Sequence, residues 1–363
     1  MNDRASACPL MTSRGRNPIS ASPIDSIAAR NQALDALRGL AALVVVLHHF
    51  CWSYEVRVGP HNTDLPSLVH GHFAVELFFI LSGFVIAPVL ERARSPTTFA
   101  LQRAARLYPT FLVCSALTLV VLAVDNRLFL APLHVLGGLT MLGRMLQMAP
   151  IDAPHWSLSY EVLFYLLAAF VLRRAPERAC AIWLAAIFLG TLVLPDWALR
   201  FAILLQLPYA VLFIIGMMLS RLVMGRLGLL GFGTLATALG LTGLGPVVDL
   251  GGLGSAGYVV LILSFSGIVW GAGKGYLRWI ACRPLVFLGA ISYPLYLSHY
   301  SIGHVIIRCL EAENWSALSA TAAALMMVVI IATIIHYAVE VPAQFAIRRI
   351  WATHICRRAQ ATA

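Results

Sequence analysis

The sequence predicts an all-α integral membrane protein: a bundle of about ten transmembrane helices with both termini cytoplasmic. Three observations carry this. The chain is 60% hydrophobic and only 12% charged, with a mean hydropathy of +0.82, outside the range of soluble domains. Apolar runs of spanning length recur from Leu34 to Val339, which is the signature of a polytopic membrane protein. The arginines fall in short clusters between these runs and in the two tails. That is how cytoplasmic loops are written against anionic headgroups. The net charge of +10 therefore reads as lipid-facing, not as a nucleic-acid surface. Seven cysteines stand scattered without a CxxC pair or metal-ligand spacing, so neither a disulfide frame nor a metal site is implied.

Residues 1–33 are rich in Ser, Pro, Ala and Arg and lack periodicity. They read as a disordered basic cytosolic tail, not as a cleaved signal peptide, because the apolar run that follows is too long. The first span, 34–53, exits outward to a polar loop holding Pro60, Asn62, Asp64 and Pro66. A second span, 71–90, returns to an inner loop with Arg92, Arg94, Arg103 and Arg106, and a third, 107–124, goes out again to Asp125.

The segment 130–150 is the ambiguous one, being apolar but broken by Gly137, Gly138, Gly143 and Arg144. If it spanned, the next helix would deliver Arg173, Arg174 and Arg178 outside and invert every later basic loop. If it is re-entrant or interfacial, all basic clusters face the cytoplasm, down to Arg348, Arg349, Arg357 and Arg358 in the basic tail 346–363. The positive-inside rule selects the second reading. The remaining spans are then 156–172, 179–195, 198–220, 228–247, 257–273, 285–307 and 316–340.

Ionisable groups inside spanning segments are costly and by default mark a functional site. The stretch LDALRGLAALVVVLHHF at 34–50 carries Arg38 near its start and His48 and His49 near its end. At 1.5 Å of rise per residue, His49, Glu76, Glu161 and His299 are expected to share one layer in the outer half of the bundle. Arg38, Arg103, Arg106 and Glu340 are expected at the inner face. RAAR at 103–106 sets two guanidiniums one helical turn apart, a spacing suited to a polyanionic phosphate. Each group also has a plain structural reading. Arg103 and Arg106 serve as positive-inside anchors, and Glu76, Glu161 and the histidines as interhelical hydrogen bonders. The recurrence of charge at one level on four helices favours chemistry.

The local sequence around these groups resembles acyltransferase family 3, membrane proteins that O-acylate sugars and other hydroxyl acceptors. LDALRGLAALVVVLHHF looks like the family's first helix, with its arginine at Arg38 and its histidine at His49. AVELFFILSGFVIA at 74–87 resembles the second motif, with Glu76 at the acidic position and Ala74 where glycine is usual. RAARLYP at 103–109 is similar to the basic motif. HWSLSYEVLFYLL at 155–167 is similar to a signature with two successive glutamates, of which Glu161 matches the first and Val162 replaces the second. LGAISYPLYLSHY at 288–300 and EVPAQF at 340–345 resemble the two closing motifs. The matches occur in family order over 34–345.

The resemblance implies a transmembrane acyltransferase 3 domain over 34–345. It would use acyl-CoA, most often acetyl-CoA, as donor substrate, with no bound cofactor and no metal. The acceptor would be a carbohydrate, lipid-linked sugar or small glycoside, and the setting the bacterial inner membrane. Arg38, Arg103 and Arg106 would take the CoA phosphates. His49 is read as general base, since an unperturbed imidazole has its pKa near working pH, with Glu161 or Glu76 orienting the ring. Secondary candidates are His48, Trp156, Ser157, Ser82, Tyr293, His299 and Glu340. Covalent acyl-histidine and direct transfer both remain open. The rival readings are a secondary transporter relaying protons through His and Glu, which predicts inverted repeats that are not visible, and a binding scaffold without turnover.

Overall fold

The computed structural model describes residues 31–58, 67–93, 95–127, 131–193, 209–243 and 253–347. Most of the tails expected at 1–33 and 346–363, the tip of the 53–70 loop, and parts of the spans expected at 198–220 and 228–247 lie outside these. The described residues are helical, with no strand among them. In chain order the helices are α1 (Gln32–His48), α2 (Ala74–Arg92), α3 (Pro96–Val124), α4 (Pro132–Leu139), α5 (Trp156–Leu167) and α6 (Pro176–Val193). They continue as α7 (Ala210–Val223), α8 (Leu229–Leu241), α9 (Gly254–Lys274), α10 (Arg283–Ala312) and α11 (Ala317–Ile335). A π-helical turn, His49–Ser53, and a short helix, Tyr54–Val58, prolong α1.

Six helical stretches among the described residues are long and apolar enough to cross a membrane: Gln32–Val56, Val69–Arg92, Pro96–Val124, Ala153–Leu172, Gly254–Lys274 and Ala317–Ile347. The helix α10 has 30 residues, about 45 Å at 1.5 Å each, so its length also suffices. Its hydropathy is lowered by His299, His304, Arg308 and Glu311. By contrast α4 has 8 residues, about 12 Å, far short of the ~30 Å hydrocarbon core. Three glycines and an arginine within 137–144 explain why the apolar segment breaks off there.

Helix starts follow from local chemistry. The Asn31 side chain accepts from the N–H of Ala33 at 3.1 Å and caps α1, while its amide donates to the Ala272 carbonyl at 3.0 Å. Ser95 caps α3 through the N–H of Thr98 at 3.1 Å, with Pro96 at the first helical position. Both positions leave helix-end donors satisfied.

Lipid tails are as apolar as leucine, so helix association in a membrane depends on close packing and hydrogen bonds. Two glycine crossings supply the packing. Parallel helices α1 and α10 meet at Gly39 and Gly289, where a Cβ built on Gly39 would fall 2.6 Å from the backbone N of Gly289. A Cβ on Gly289 would likewise fall 2.6 Å from the carbonyl carbon of Asp35. Helices α2 and α7 meet in the same way at Gly83 and Gly216. Further along α1, the buried Phe50 ring packs over Gly303 of α10.

One end of the bundle is tied by ions. Arg221 at the end of α7 pairs with Glu91 of α2 at 2.8 Å and with Glu177 of α6 at 3.1 Å, and Arg226 pairs with Glu91 at 2.5 Å. Partial burial alone would push the Glu177 carboxyl up. The N–H of Gly228, at 3.0 Å, and the Arg221 guanidinium outweigh it and hold the carboxyl below its ordinary value. A carboxylate depressed in the fold stabilises it above the unfolded-state pKa of about 4.3 and stops doing so as pH falls through the folded value. The difference in apparent Tm between wild type and Glu177→Gln in detergent is therefore expected to be full at neutral pH and to shrink below about pH 4. A gap that widens on acidification would contradict this.

Candidate active site

Paired imidazoles stand where the π turn that follows α1 faces the middle of α10. The Nδ1 atom of His49 lies 2.7 Å from Nε2 of His299, and the rings sit at 5.0 Å with an interplanar angle of 24°. His299 is fully buried, and its Nδ1 lies 2.9 Å from the Tyr296 carbonyl and 3.1 Å from that of Leu295. The Tyr300 ring meets His49 edge-on at 4.9 Å, and His304 Nε2 donates to the His49 carbonyl at 3.0 Å. That carbonyl also accepts the N–H of Tyr54 in the π turn, so the widened turn holds His49 and presents its backbone to α10 together.

A cleft of about 100 Å³, which neither histidine lines, has Arg38, Arg103, Arg106, Glu161, Tyr165 and Tyr296 in its wall. Ser82, Ser157 and Tyr293 also line it. Tyr296 closes one end, its ring 5.9 Å from that of His299 and 6.0 Å from Phe78. The Tyr296 hydroxyl donates to the Pro154 carbonyl at 2.9 Å and lies 2.8 Å from the Ser157 hydroxyl. Tyr293 is held by donation to the Leu107 carbonyl at 3.1 Å. No ion pair among the described residues neutralises Arg38, Arg103 or Arg106, and Nε of Arg103 is buried without a hydrogen-bond partner. The nearest carboxylate in the wall, Glu161, accepts instead from Ser82 at 3.2 Å and, through a short bond, from Tyr165.

This arrangement corrects the expected layers. His49 and His299 do share a level, but Glu161 sits with the guanidiniums, and the ring position expected for a carboxylate at His49 Nδ1 is taken by His299. The cause lies in the segment before α5. Asp152 accepts from the Ser301 hydroxyl at 2.7 Å, and His155 Nε2 donates to the Leu297 carbonyl at 3.0 Å. Both contacts flank His299, so α5 begins at mid-bundle and not at the outer surface. Six residues further on, Glu161 is already at the level of the arginines.

Glu76 stands apart, buried in the first turn of α2, where an acid complements the helix dipole. Its electrostatic neighbours include Tyr209, Tyr258 and the cleft-wall Tyr296, and its Oε2 has no hydrogen-bond partner among the described residues. His48 turns away from His49: its Nδ1 donates to the Leu68 carbonyl at 2.7 Å and its ring stacks on Trp52. Trp156 packs among Phe79, Tyr160 and Tyr209. Glu340 is occupied by His336 at 2.8 Å and Gln344 at 3.2 Å. Sequence reasoning passed over Tyr165, Tyr296, Asp152 and His155. Tyr165 was signalled by its place four residues after Glu161 on one helical face.

A family model described as an acyltransferase domain matches residues 31–337, which takes in both histidines and the whole cleft. The chain belongs to acyltransferase family 3. Acyltransferase MdmB of Streptomyces mycarofaciens is 32% identical to it over 174 residues, which is 43% of this chain and 44% of that relative. The match to this curated relative thus spans less than half of its length. No solved structure matches the chain. Within this acyltransferase 3 chain the matched region begins at the Asn31 cap and ends in the last π turn, so the paired histidines and the arginine cleft are both inside the family domain.

Proposed function

We propose that this acyltransferase 3 chain is a membrane O-acyltransferase that moves an acyl group, acetyl first among the candidates, from acyl-CoA to a hydroxyl of a carbohydrate or glycoside acceptor. The setting is the bacterial inner membrane, with ten spans and both termini cytoplasmic. The observation that carries the reading is the cleft itself. Three guanidiniums that make no ion pair among the described residues line the cleft with one carboxylate, Glu161, and the ring of Tyr296 in its wall lies 5.9 Å from that of His299. Burying unpaired cations is costly, and a donor with a pyrophosphate and a further phosphate offsets that cost with charge-assisted, bidentate bonds.

In this reading the CoA phosphates take Arg38, Arg103 and Arg106, and the pantetheine arm passes Tyr293 and Ser157 toward Tyr296. The thioester carbon then meets the acceptor oxygen beside His49. The imidazole removes the hydroxyl proton as the O–C bond forms, and delivers it to the thiolate sulfur as the C–S bond breaks. The products are an ester and CoA thiol, with no net proton change. Glu161 positions Tyr165 and Ser82 along the cleft wall. Glu76 and Glu340 contribute to helix packing and hold no place in the transfer.

The test is transfer of label from [14C]acetyl-CoA into base-labile esters of glycans in membranes that contain the chain. The double variant Arg103→Gln, Arg106→Gln should raise the KM for acetyl-CoA roughly ten- to hundredfold, the size of lost charged hydrogen bonds, with a smaller effect on kcat. Uptake of a sugar into vesicles without acyl-CoA, and no labelled ester, would replace this reading with transport.

A further inference from the structure

The histidine pair contains more information than its proximity. Both carbonyls facing His299 Nδ1, those of Tyr296 at 2.9 Å and Leu295 at 3.1 Å, can only accept. That nitrogen therefore carries the hydrogen, and in a neutral ring Nε2 is left with a lone pair. Since Nε2 of His299 faces Nδ1 of His49 at 2.7 Å, the second ring must donate. His49 is thus protonated on Nδ1, and its basic lone pair is placed on Nε2.

We infer that His299 is a positioning residue that fixes the tautomer of His49, making Nε2 the atom that accepts the acceptor's proton. The inference rests on His49 being the base proposed above. A second imidazole here performs what a carboxylate does for a histidine in hydrolytic triads: it selects the ring nitrogen and holds its orientation. The geometry around it suits that task. His299 is locked from below by its own helix backbone and is fully buried. The adjoining contacts of Asp152 with Ser301 and of His155 with the Leu297 carbonyl, at 2.7 and 3.0 Å, fix α10 on either side of it. When His49 gains a proton on Nε2, its Nδ1–H still points at the His299 lone pair, so the imidazolium keeps an acceptor. His48, one residue away, is turned from His299, with its Nδ1 bound to the Leu68 carbonyl and its ring stacked on Trp52.

The test separates tautomer from turnover. Histidine-labelled 15N spectra of the full chain in lipid, with His49 assigned by loss of its signals in His49→Asn, should show a protonated Nδ1 and an unprotonated Nε2. In His299→Phe this preference should vanish. In His299→Gln, whose side-chain oxygen reaches the position of Nε2, it should persist. In [14C]acetyl transfer, His299→Phe should lower kcat by roughly a hundredfold or more, as for second-sphere and tautomer-setting partners elsewhere, with little change in KM for acetyl-CoA, and His299→Gln should recover most of it. A wild-type His49 protonated on Nε2, or a His299→Phe protein with unchanged tautomer and kcat, would overturn the inference. If His299→Phe fails to fold, the wild-type and His299→Gln spectra decide alone. The spectra need no substrate. The expected tautomer in a protein without acyl transfer would therefore overturn the proposed function and leave the pairing intact.

Discussion

Replacing His49 with alanine is expected to lower acyl transfer by roughly 10²–10⁴-fold, the usual contribution of a positioned general base, while the protein remains folded in the membrane. The fold should persist because α1 is held elsewhere. The Asn31 cap, the Gly39 crossing and the Phe50 ring against Gly303 are all untouched by the change. The local cost is that Nε2 of His299 loses its partner, about 1–3 kcal/mol for a buried polar group. Labelled acetyl transfer, measured beside the size-exclusion profile of the detergent-solubilised protein, checks both halves. A folded, acetyl-CoA-dependent His49→Ala enzyme would remove His49 from the chemistry.

The second large effect is structural. Gly289→Ala should destabilise the protein by about 1–3 kcal/mol or more, the range for over-packing, because the new methyl meets the backbone of Asp35 and cannot be accommodated by a rotamer change. The matched control is Gly267→Ala on α9, where nothing lies within 4 Å of a built Cβ and helix propensity favours alanine. Apparent Tm should fall for the first and hold or rise for the second. The same substitution at position 289 should also reduce kcat, since it parts the two helices that bring His49 and His299 together. Equal Tm values for the two variants would contradict the tight crossing.

What the sequence made legible was chemistry at fixed spacing along single helices. Arg38 and His49, Arg103 and Arg106, and the existence of helices around each were readable because period, charge and apolar run length are local properties. In 130–150 the glycines and Arg144 were readable as breaks in the apolar run, and the helix there, Pro132–Leu139, has only 8 residues. Depth was not. It was counted from an assumed outer surface, and for α5 that origin was wrong, because Asp152 and His155 bind side-chain and backbone groups of α10 some 145 residues away in the chain. Contacts of that separation leave no periodic trace. His299 was visible as a member of a motif, yet its role as partner of His49 Nδ1 depends on two glycines on different helices fitting face to face. No single-helix pattern contains that.

The crossing of Gly39 with Gly289 has a consequence for chain length. His49 lies ten residues beyond Gly39, and His299 lies ten beyond Gly289, so two parallel helices climb by the same ~15 Å from contact to chemistry. Inserting or deleting one residue inside either stretch would rotate its histidine by about 100° away from the other, whatever residue was used. Above His49 the count is freer, because the π turn at 49–53 already contains a wider loop of backbone. An added residue there would turn Tyr54 away from Glu311, its partner at 2.7 Å, and leave the imidazoles in place. Natural variation in segment length should therefore be tolerated beyond His49 and excluded from the two ten-residue intervals, even where the side chains within them are free to change.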